Sequence, residues 1–177
     1  MAVHCNFLPL RRTRLPRRAV RENQHFQKTE PFFNCPILST SQTVRIRADS
    51  YGKGYFGASR NGGRVHEGID LVYEVGNPIF ASKSGRIIFA GNTGKGYGQY
   101  IEILHPRGLK SRYAHLSSIN ISEGDWVTQN QIIGKCGKTG NASHTKITPH
   151  LHFEIREVGS NKPLDPKQLF SPSIQLT

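Results

Sequence analysis

The sequence predicts a mainly β fold: a single domain whose antiparallel sheet is folded into a groove, with a basic tail ahead of it. Three observations predict it. Apolar residues, 36% of this 177-residue chain, fall in short runs and not in long helical periods. Those runs are rich in β-branched and aromatic residues and are bounded by Gly, Pro, Asn or Ser. The most regular, His150-Leu151-His152-Phe153-Glu154-Ile155-Arg156, alternates apolar and polar residues strictly, the period of a strand with one buried face.

In chain order, Arg11, Arg12, Arg14, Arg17, Arg18, Arg21 and Lys28 against Glu22 and Glu30 give residues 1–30 a net charge of +5 with little apolar periodicity. That composition predicts a disordered tail over residues 1–35 and a domain over 36–177. The basic cluster follows the weak apolar run Phe7 to Leu10, and Arg11-Arg12 lacks the hydrophobic stretch of a twin-arginine signal, so the segment does not read as a secretory leader. No run is long enough to span a membrane. Gly62, Gly63 and Gly68, set among Val65, Ile69 and Val72, read as a loop entering a strand. Strands follow at Ile87 to Ala90 and Tyr100 to Leu104, with Gly94-Lys95-Gly96-Tyr97-Gly98 as the turn between them; this glycine run lacks the Gly-Lys-Ser/Thr order of a phosphate loop. Further strands are expected at Ser111 to Leu116, Ile132 to Gly134 and Leu151 to Arg156. Residues Ile121 to Cys136 read as two strands around a turn, like the hairpin of lipoyl and biotinyl carrier domains but without a lysine at its tip.

The chemistry lies in two histidine motifs, His66-Glu67-Gly68-Ile69-Asp70 and His150-Leu151-His152, with His115 between them. A catalytic zinc takes three nitrogen or oxygen ligands and leaves one position open for water. His66, Asp70 and His152 would supply such a set. Strand alternation points His150 and His152 to the same side, so that one can bind metal while the other handles protons. The same period over Lys110 to Leu116 puts Tyr113 and His115 on one face, which would bring His115 to the groove. Asp70 stands where helical zinc proteases carry their second histidine, so a helical His-Glu-x-x-His site is excluded and Glu67 is expected to face solvent.

These blocks resemble the lysostaphin and LytM type of zinc endopeptidase, which cleaves peptides of bacterial peptidoglycan, over roughly residues 44–170. Besides the histidine motifs, the resemblance rests on Gly76-Asn77-Pro78-Ile79-Phe80-Ala81, Gly85-Arg86-Ile87-Ile88, Tyr113-Ala114-His115-Leu116, Gly124-Asp125-Trp126-Val127, Ile132-Ile133-Gly134, Thr139-Gly140-Asn141 and Pro149-His150-Leu151-His152-Phe153-Glu154. It implies one zinc ion on His66, Asp70 and His152, with His115 and His150 as the catalytic histidines of a metalloprotease. It also implies a hydrolase of stem peptides or crossbridges in the cell wall, placed in the periplasm, the wall or outside the cell. The loop Asn141 to Thr148 is longer than the corresponding linker of the family, which bears on substrate preference. Residues Arg47 to Arg60 resemble a subgroup that includes a vertebrate secreted chemotaxin, which keeps zinc but lacks the Tyr-Ala-His-Leu histidine; His115 here favours an enzyme over a catalytically silent zinc-containing wall-binding or regulatory relative.

The other histidines and the cysteines add little. His4, His25 and His105 are expected to have no role, and His144 to be an exposed loop residue. Cys5, Cys35 and Cys136 are odd in number and lack zinc-knuckle spacing. Beyond the tail, 17 basic and 10 acidic residues leave +7 on the domain, a surface drawn to anionic wall polymers. Nucleic acid is the rival anion, but no basic sheet motif interleaved with aromatics and no reading helix is present, so it is not expected as a partner. The domain is expected to act as a monomer.

Overall fold

The computed structural model describes residues 29–38 and 43–177. The basic residues Arg11 to Lys28, with His4, Cys5 and His25, lie outside the described residues. Nine strands form one antiparallel sheet: β1 (Ile69–Val72), β2 (Pro78–Phe80), β3 (Gly85–Asn92), β4 (Gln99–His105), β5 (Leu109–Ile119), β6 (Trp126–Val127), β7 (Ile132–Cys136), β8 (His150–Glu157) and β9 (Pro163–Leu164). Their main order is β9-β8-β5-β4-β3-β6, with β1 paired to β8, and β7 to both β2 and β5. All five strands expected from the pattern are present, each longer than its apolar run, and β3 and β4 form the expected hairpin across residues 93–98.

Two expectations are corrected. Residues Ile121 to Cys136 do contain two strands, but these do not pair with each other: β6 adds to β3, while β7 joins β2 and β5. Tyr113 and His115 do not share a face. Tyr113 lies opposite Phe153 in the β5–β8 ladder and is fully buried against it. Pairing with β8 stops at Ala114, and pairing with β7 begins at Leu116. At the fork between them His115 adopts φ 65°, in the left-handed region, and this break in the pleat turns its side chain out of the core.

The core is the inward face of these strands: Leu71, Ile79, Ile101, Ile103, Leu116, Ile133, Leu151, Phe153 and Ile155 are all inaccessible. Each such side chain contributes about 1.5–3 kcal/mol by leaving water. Strand β8 is central, paired along one edge with β5 and along the other with β1 and then β9. Its side chains are therefore held at fixed positions.

The segment 29–38 packs onto the domain. Phe33 is 3% exposed and hydrogen-bonded through its backbone to Leu169 and Ser171, and the Glu30 carboxylate accepts from the Ser84 amide at 2.8 Å. Thr43–Val44 then pairs in parallel with Gln175–Leu176, so chain from both ends of the described region closes one side of the core. No helix among the described residues is long and apolar enough to cross a membrane.

Candidate metal centre

Strands β1 and β8 lie side by side with Asp70 directly opposite His152, so the register alone sets a carboxylate beside an imidazole. His66 arrives from the loop before β1. Its Nδ1 donates to the Tyr55 carbonyl at 2.9 Å, which leaves the Nε2 lone pair facing the other two residues. Gly68 lets this loop approach β8: a Cβ there would stand 2.4 Å from the Phe153 carbonyl oxygen. The ligand atoms converge, with His152 Nδ1 2.8 Å from Asp70 Oδ1, His66 Nε2 3.1 Å from the same oxygen, and the two nitrogens 3.0 Å apart. All three residues are buried, and their donor atoms lie within 4.8 Å of one another. Two imidazoles and a carboxylate aimed at one point fit a zinc ion in number, type and spacing.

Around this trio the charges are paired. Burial alone would raise the Asp70 carboxyl, but the hydrogen bond and the charge of His152 hold it well below the usual carboxylate range. Burial likewise lowers His152, yet Asp70 on one nitrogen and Glu154 on the other raise it to about 9. Without metal, His152 is thus an imidazolium between two carboxylates. With Nε2–H donated to Glu154 at 2.9 Å, Nδ1 is the atom that can exchange its proton for a metal. Glu154 also accepts from Tyr97 OH at 2.8 Å, Arg112 Nη1 at 2.9 Å and Arg156 Nη1 at 2.7 Å. Burial opposes its ionisation, but His152 and the arginines bring its pKa down to about 2. Arg156 reaches on to Glu67, so that carboxylate is engaged and only partly solvent-facing.

The second oxygen of Asp70 accepts from Arg47 Nε at 3.1 Å and Nη2 at 2.9 Å. Arg47 Nη1 pairs with Asp49 at 2.7 Å, and Asp49 in turn accepts from the Thr148 amide at 3.0 Å. The Thr148 carbonyl accepts from His150 Nδ1 at 2.7 Å. One chain of hydrogen bonds thus runs from Asp70 to His150.

His115 and His150 face each other at a centroid separation of 5.2 Å, and His115 lies 5.8 Å from His152. His115 Nδ1 donates to the Thr139 carbonyl at 2.9 Å, as His150 Nδ1 does to Thr148. A carbonyl only accepts, so both rings carry their proton on Nδ1 and keep Nε2 free. Burial, then the neighbouring histidines, lower His115 to about 3; burial also lowers His150, against the pull of Asp70. Both are neutral at pH 7. They open into a groove of about 690 Å³ shared with His66, Asp70, Tyr97 and Arg60.

All five candidate residues therefore meet in one groove. His144 is exposed, paired with Tyr51, and His105 is a neutral core residue, lowered to about 4 by burial. Cys35 and Cys136 are free thiols, each raised to about 11 by burial. Sequence reasoning missed Glu154 and Arg156, although the alternation that assigns His150 and His152 continues through both. It also missed Arg47, Asp49, Tyr97 and Arg112, which only tertiary contact brings to the site.

The family model for Peptidase family M23 matches residues 64–166. The DD-carboxypeptidase/endopeptidase Mpg of Neisseria meningitidis serogroup B is 40% identical over 114 residues, 64% of this chain and 25% of that protein. The murein hydrolase activator NlpD of Salmonella dublin is 39% identical over 136 residues, 75% of this chain and 33% of that protein. The chain thus corresponds to a quarter to a third of these curated relatives. Among solved structures, the catalytic domain of the antimicrobial peptidase lysostaphin from Staphylococcus simulans matches with a TM-score of 0.56 at 36% identity, covering 67% of this chain and 88% of that one.

Proposed function

The chain belongs to peptidase family M23, and on that premise we propose that it is a zinc-dependent endopeptidase hydrolysing peptide bonds in peptidoglycan stem peptides or crossbridges. His66, Asp70 and His152 hold the metal, and His115 and His150 are catalytic. The observation that carries the reading is the convergence of all five residues, with the Nε2 atoms of both non-ligand histidines free beside the three donor atoms. When bound there, zinc supplies the Lewis acidity that activates water and polarises a scissile carbonyl. The chain's own residues do the rest. Neutral His115 and His150 accept a proton at Nε2 and return it to the leaving amine, while Thr139 and Thr148 fix their rings. Arg47 and Glu154 hold Asp70 and His152 in the orientation that metal binding needs. Such a substrate places the protein outside the cytoplasm, where the basic surface meets anionic wall polymers.

The similarity to a murein hydrolase activator favours one other reading, a catalytically silent regulator that keeps the groove. Release of free amines from purified peptidoglycan decides between them. For the enzyme, zinc-loaded protein is active, and chelation, His115→Ala and His150→Ala each abolish release. A folded, zinc-bound chain inert on several wall types would favour the regulator.

A further inference from the structure

The groove's charges are unevenly paired. On the wall formed by residues 47–67, three arginines face the cavity: Arg47, Arg60 and Arg64. Arg47 is met by both Asp49 and Asp70. Glu67, on the same wall, is taken by Arg156, and Glu154 below it by Arg112 and Arg156. Arg60 Nη1 is fixed by the Lys53 carbonyl at 2.7 Å. The carboxylate in its reach is Asp70 Oδ2 at 3.5 Å, which already accepts two hydrogen bonds from Arg47. Arg64 is exposed, donates to the Asn61 carbonyl at 3.3 Å, and has no carboxylate partner among the described residues.

The backbone holds these two arginines together. The Arg60 amide donates to the Arg64 carbonyl at 2.9 Å, and the turn between them is closed by Gly62 and Gly63, both at positive φ (76° and 71°). A side chain at either glycine would strain the turn, so the sequence maintains a tight loop that brings both arginines to the lining of the groove. Two guanidinium groups there favour an anion entering the groove. They line the same groove as Asp70, which would hold the scissile bond.

We propose that Arg60 and Arg64 form a carboxylate-binding subsite at the metal centre, so that the groove, resting on the peptidase reading above, takes stem peptides with a free carboxylate near the scissile bond and not neutral oligoglycine bridges. Guanidinium groups match a carboxylate by paired N–H donors. The loop wall then selects the substrate, while the strand wall carries the chemistry.

The test uses the zinc-loaded full chain and three probes: a synthetic stem pentapeptide with free carboxylates, its twin with every carboxylate converted to carboxamide, and pentaglycine capped as its N-acetyl C-terminal amide. A charge-assisted contact of this kind predicts that kcat/KM for the acid exceeds that for the amide and for pentaglycine by about 10- to 100-fold. Arg60→Gln and Arg64→Gln bring the acid-to-amide ratio towards one, and Arg64→Glu inverts it. Taking the ratio within each variant cancels any general loss from the contact of Arg60 with Asp70. Comparable cleavage of all three probes, or a ratio unmoved in Arg64→Glu, overturns the proposal. If none is cleaved, the peptidase reading fails on its own, and calorimetric titration of the same probes still decides. Preferential binding of the acid, lost in Arg64→Glu, sustains the subsite, and equal binding of acid and amide removes it.

Discussion

The two walls of the groove are built on opposite terms. The strand wall, carrying Asp70, His150, His152 and Glu154 on β1 and β8, has each of these side chains bound to a partner and little access to water. The loop wall, residues 47–67, is anchored at its inner end by the ion pair of Arg47 and Asp49, but its outer end presents Arg60, which shares Asp70 with Arg47, and the exposed Arg64. A pleated pair of strands fixes atoms to the tolerance that a metal needs. A glycine-closed turn can vary without disturbing them. The difference teaches that one groove can set a rigid wall beside one that is free to vary.

The largest expected effect tests the strand wall. Glu154→Ala leaves Arg112, Arg156 and the far nitrogen of His152 without their buried anion, and should destabilise the protein by about 3–5 kcal/mol in denaturant unfolding. Little change would make the two walls alike. Next comes pH. In metal-free protein His152 is raised from 6.5 to about 9, so its stabilising contribution is complete below pH 6.5 and disappears as pH rises through 9. A melting temperature falling by roughly 5–10 °C between pH 6.5 and 9.5 is expected without metal. Zinc-loaded protein, with its metal in place of the proton, should show a flatter profile.

A smaller effect is expected at the inner end of the loop wall. Asp49→Ala removes the acceptor of the Thr148 amide and of Arg47, costing about 1–3 kcal/mol. Because Thr148 orients His150, kcat should fall more than KM rises. Smallest of all, Arg64→Ala should leave stability within about 0.5 kcal/mol of wild type, as for other exposed side chains. A large loss there would show that the turn is a structural support.

Legibility in the sequence follows the same division. Alternation along 150–156 revealed the central strand and the pointing of both its histidines, because a strand's period is local. The trio His66, Asp70 and His152 was legible because its residues sit in two short motifs. The placing of His115 was legible only by resemblance: alternation put it on the face of Tyr113, and the fork between β8 and β7 reverses it. Arg47, Asp49 and Arg112 left no local sign, since a charged residue in a strand or loop reads as solvated until the fold supplies its partner. The expected disorder of residues 1–28 lies outside the described residues, whereas 29–35, assigned by composition to the same tail, packs on the core through Phe33.

The fork at His115 bears on how such domains diverge. A histidine held at φ 65° occupies a conformation that glycine or asparagine adopts with less strain, and its ring lies in the groove beside those of His150 and His152. Glycine or asparagine there would relax the backbone while removing the group proposed above to react, at the cost of its hydrogen bond to Thr139. If His115 reacts as proposed, selection against backbone strain and selection for turnover pull in opposite directions at this one position. A lineage released from the second drifts readily into a well-folded protein that no longer cuts.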